Sequence, residues 1–71
     1  MNITSTQVQK LLTGNYTFSQ LGFSMLLTRL KEVYTKDPSP AVLQSCVDEI
    51  NEFLQKYSSI IAADLEVIYK L

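Results

Sequence analysis

Few side chains in this sequence could do chemistry, and their spacing limits what that chemistry could be. Cys46 is the only thiol, histidine is absent, and the acids Glu32, Asp37, Asp48, Glu49, Glu52, Asp64 and Glu66 are scattered. A thiolate nucleophile needs a nearby base or cation to lower its pKa, and no basic residue stands one helical turn from Cys46, which therefore reads as a core thiol. Zinc and iron sites need clustered cysteines and histidines, and a lone cysteine cannot form a disulfide within the chain. Carboxylates alone can run acid–base catalysis. Asp48, Glu49 and Glu52, however, fall on a convex helix face where nothing shifts one pKa away from another. Gly14 and Gly22 are eight residues apart, so there is no glycine-rich phosphate loop. This inventory predicts no catalytic residue, no metal and no cofactor, and a protein that works by binding.

The elements that must position these residues belong to one small domain, residues 1–71. At this length folding buries only about 60% of the surface that the unfolded chain exposes. A core this small rarely supplies more than about 3 to 5 kcal/mol without a disulfide, a metal or a second subunit. The composition, 46% apolar and 18% charged, is that of an ordinary globular chain. A net charge of −1 argues against nucleic-acid binding, where lysines and arginines must neutralise phosphates. No apolar run approaches the roughly 20 residues that span a bilayer, so no membrane partner is expected. Residues 1–7 lack the basic start and apolar run of a signal peptide, which points to the cytoplasm. Asn2-Ile3-Thr4 and Asn15-Tyr16-Thr17 are then chance matches to the glycosylation pattern.

Apolar periodicity and punctuation predict an all-α, three-helix antiparallel hairpin or bundle with a short first helix and a long C-terminal helix. The first, residues 5–13, is capped by Thr4 or Ser5, carries Val8, Leu11 and Leu12, and stops at Gly14-Asn15. The second, residues 18–36, is capped by Thr17 or Ser19 and ends before Pro38 and Pro40. It presents Phe23, Leu26, Leu27, Leu30, Val33 and Tyr34 on one face, and Phe18, Leu21 and Met25 on another that the first helix should cover. Ser39-Pro40 opens the third helix. From Val42 to Leu71 its apolar residues keep one phase across Ser58-Ser59, so a single helix over residues 40–70 is expected, about 45 Å long.

That length creates a conflict. The second helix, about 26 Å long, reaches only as far as residue 57, leaving the apolar end of the third bare. The expectation is a protein–protein module that forms a homodimer through Ile61, Leu65 and Ile68, with Asp64 and Tyr69 at the contact; the alternative geometry lays the first helix over residues 60–71 in a compact monomer. Asp64 breaks the apolar arc, so it should sit at its edge, find a cation, or set the register of an interface. Residues 1–36 hold Lys10, Arg29, Lys31 and Lys36 against Glu32, while residues 37–71 hold Lys56 and Lys70 against six acids. An inhibitor or immunity-type protein would turn the acidic face of Asp48, Glu49, Glu52 and Glu66 against a basic target. A helix-turn-helix DNA binder fits less well, because its reading helix has no cation before Arg29.

Overall fold

The computed structural model describes residues 2–57 and 62–71, and among these the regular structure is helical throughout: α1 (Ser5–Thr13), α2 (Leu21–Lys36), α3 (Pro40–Lys56) and α4 (Ala62–Tyr69). At the start of α1, Thr4 Oγ1 accepts from the Gln7 amide at 3.2 Å while Gln7 Oε1 accepts from the Thr4 amide at 2.8 Å. Two otherwise unpaired donors are thus satisfied reciprocally. Gly14 ends the helix, its N–H donating to the Lys10 carbonyl at 2.8 Å. A Cβ on Gly14 would lie 2.8 Å from that oxygen and against the Tyr16 ring, so the close turn needs a residue without a side chain.

The second helix begins three residues later than its apolar pattern implies, because Gln20 caps it by accepting from the Phe23 amide. Phe18 therefore lies outside the helix and out of phase with Leu21 and Met25. It turns inward and meets Phe23 edge-on, with ring centroids 5.0 Å apart. The second apolar face expected on this helix does not form, since Leu21 and Met25 are exposed, and on the main face Val33 is exposed as well. α3 starts as its sequence predicts, with Ser39 Oγ accepting from the Val42 amide at 3.2 Å and Pro40 in the first turn.

The expected single helix over residues 40–70, and with it the three-helix hairpin, is corrected to four helices among the described residues. α3 stops at Lys56, and Tyr57 has left helical backbone with φ −114° and ψ 83°. A straight helix over that span would be about 45 Å long, and the longest dimension of the molecule is 31 Å. The shared phase failed as a guide because it fixes which side of the chain is buried, not whether the axis continues. α4 turns Asp64 and Ile68, one turn apart, inward to the same core. Ser58 and Ser59, the expected hinge, lie outside the described residues.

The helices α1, α2 and α3 pack pairwise. Their inner faces (Val8, Leu11 and Leu12; Phe23, Leu27 and Leu30; Cys46, Val47, Ile50 and Leu54) join Ile68 of α4 and the non-helical Ile3 and Phe18 in one core. Ile3 is held by Asn51, whose Oδ1 accepts from its amide at 2.7 Å and whose Nδ2 donates to its carbonyl at 3.2 Å. The radius of gyration, 11.2 Å, matches the value of about 11 Å for a compact chain of this length. No helix among the described residues is long and apolar enough to cross a membrane.

Candidate functional site

Of the residues expected at a contact between copies, the fold turns two inward. Ile68 is 0% exposed and Asp64 2%. The Asp64 carboxylate finds no cation among the described residues; its two oxygens accept from the backbone amides of Ser19 and Gln20, at 2.8 and 2.9 Å. Those amides belong to the N-cap of α2 and the residue before it, close to the helix end where the dipole favours a negative charge, so a residue that reads as a misfit is what fastens α4 to the start of α2. Leu65 is half-buried against the core, Tyr69 is 55% exposed, and Ile61 lies outside the described residues. Leu71 also packs on the core, its backbone oxygen accepting from Lys10 Nζ at 2.6 Å. Ile68, Leu65 and Leu71 thus pack on the chain's own core.

The acidic set divides between two helices. Asp48, Glu49 and Glu52 line α3. Glu49 pairs with Arg29 of α2 at 3.0 Å, and Asp48 accepts from Gln44 at 3.0 Å. Glu66 belongs to α4 and pairs with Lys70 one turn on, at 3.3 Å. Cys46 is buried, and its thiol pKa is raised, first by burial and then by Glu49, with Arg29 opposing. No three metal-ligating side chains converge among the described residues.

The surface that stands out was read from sequence as a covered face. Leu21 is 72% and Met25 63% exposed, one turn apart on α2. Leu26, the residue after Met25, lines with Phe53 and Tyr57 a shallow groove between α2 and α3, rimmed by Glu49, Glu52 and Lys56. The two helices approach closely at this point: a Cβ on Gly22 would be in ordinary van der Waals contact with Phe53, at 3.6 Å. The rings of Phe53 and Tyr57 lie 4.7 Å apart, and Phe53 stacks inward on Phe23 at 5.5 Å, so the groove is anchored in the core. At about 190 Å³ it is smaller than the roughly 300 Å³ at which small-molecule pockets begin, and it suits inserted side chains better. A signal for this surface exists in the sequence: at 100° steps Leu21 and Met25 share an arc of about 80° with Arg29, Glu32 and Lys36, the charged side of the helix.

No protein-family model, no curated protein and no solved structure matches this chain.

Proposed function

We propose that the chain is a non-enzymatic protein-binding module whose contact face is the α2–α3 surface around Leu21 and Met25. The exposure of these two side chains, with the next residue, Leu26, lining an aromatic groove, carries the reading. Large apolar groups exposed together, rather than singly, mark interfaces, and methionine and aromatic residues are enriched there. Asp48 lies exposed on α3 and Glu52 on the rim of an open groove rather than in an enclosed cavity, which supports a role without catalysis.

The two other readings are less well supported. An inhibitor using its acidic face has Glu49 and Glu66 already engaged by Arg29 and Lys70. A helix-turn-helix reader needs a turn of about 3 to 4 residues, whereas residues 14–20 separate α1 from α2 and the first turn of α2 holds no cation. The proposal is tested by placing a photo-crosslinking amino acid at Leu21 and, as control, at Thr35 on the same helix. Protein crosslinks at Leu21 and none at Thr35 are expected in cells. Equal labelling at both positions, or none at Leu21, rejects the face.

A further inference from the structure

We infer that the partner on this face is a second copy of the same chain, related by a twofold axis. The inference rests on the α2–α3 surface being a protein contact, and the charges on its rim select the occupant. Arg29 and Glu49 neutralise each other across the two helices. On the rim of the groove Glu52 and Lys56 remain, one turn apart on α3, both exposed and neither in an ion pair among the described residues. A basic partner would meet Lys56 unfavourably, and an acidic one would meet Glu52. A copy laid antiparallel along the end of α3 places Glu52 against the other copy's Lys56 twice over. That arrangement satisfies both charges with one self-complementary patch. A net charge of −1 adds little long-range repulsion between copies.

The apolar centre is self-complementary in the same sense. Leu21 and Met25 are exposed on α2, and Leu26, the residue after Met25, opens the groove with Phe53 and Tyr57, so each copy offers both apolar side chains and a slot. The available area is modest. α2 and α3 are about 25 Å long, and the molecule is only about 20 Å across. The contact therefore falls at the small end of specific interfaces, and the dimer should come apart on dilution.

Sedimentation equilibrium of the purified chain over about 10 to 500 μM covers the range expected for such an interface. The mean mass should rise from one chain, 8.1 kDa, toward two. Met25→Asp sits on an exposed position, so far-UV circular dichroism should show an intact fold, while association weakens by at least about tenfold because the dimer would bury an unpaired carboxylate. Glu52→Lys and Lys56→Glu should each weaken self-association by about three- to tenfold. Mixed together, these two single variants should associate more tightly than either alone, since each then carries the charge the other lacks. A folded wild-type chain that stays monomeric throughout, or a mixture no tighter than its components, overturns the inference. If Leu21 still crosslinks to other proteins in that case, the face remains a contact and only its self-pairing is lost.

Discussion

At Cys46 the thiol is 1% exposed, between Glu49 one turn on and the apolar neighbours that bury it. Burial first, and Glu49 second, hold its pKa above the ordinary 9.0, with Arg29 pulling the other way. The consequence for stability has a definite sign. Above pH 9 the unfolded chain releases this proton before the folded one does, so stability is full below that value and falls as pH rises toward the folded pKa. Urea unfolding at about pH 8 and pH 10 should show a smaller loss in Cys46→Ala than in the wild type; an equal loss would mean the thiol ionises alike in both states. In native buffer the thiol should also react far more slowly with a thiol reagent than in denaturant. Asp64 offers a second test at this scale. Asp64→Ala strands two amides and should cost about 1 to 3 kcal/mol. Asp64→Asn keeps one acceptor and should cost less, so the order of the two midpoints in urea checks the role.

Among the elements, those announced by local chemistry were legible in the sequence. The Thr4 cap and the Gly14 stop bound α1, and Ser39-Pro40 opens α3, because each acts on its own turn of backbone. What escaped depends on groups far apart in the chain. Asp64 meets Ser19 and Gln20 across 44 to 45 residues, and Asn51 meets Ile3 across 48, so neither bond leaves a mark on periodicity. The face of Leu21 and Met25 reads as covered for a local reason instead: a start at residue 18 joins Phe18 to Leu21 and Met25 as one stripe, whereas the Gln20 cap, bonded three residues on to Phe23, separates them. Asn51 is the clip that tests this long-range layer. Asn51→Ala removes both bonds to Ile3 while leaving the capping box of Thr4 and Gln7 intact. Ile3 should then lose most of its amide-exchange protection while Leu11 and Leu12 keep theirs. Loss of protection along all of α1 would show instead that the clip, not the cap, holds the helix.

For the whole molecule, α4 decides whether the fold is one cooperative unit or a three-helix body with an appendage. Ile68 argues for one unit: it lies on an eight-residue helix, too short to persist alone in water, yet it is 0% exposed within the same core as Phe23 and Ile50. Fully buried aliphatic residues cost about 2 to 5 kcal/mol when cut to alanine, and a domain of this size holds about 3 to 5 in total. Ile68→Ala should therefore lower the urea midpoint sharply and unfold much of the chain at 37 °C. Met25→Ala, on the exposed side of α2, should shift stability by no more than about 0.5 kcal/mol. The cooperative reading further requires that amides in α1 and α3 lose protection in step with those of α4, because Ile68 shares one core cluster with the buried residues of both. If α4 alone opened in Ile68→Ala while α1 to α3 kept wild-type protection, the fourth helix would be an independent flap and the core would close without it.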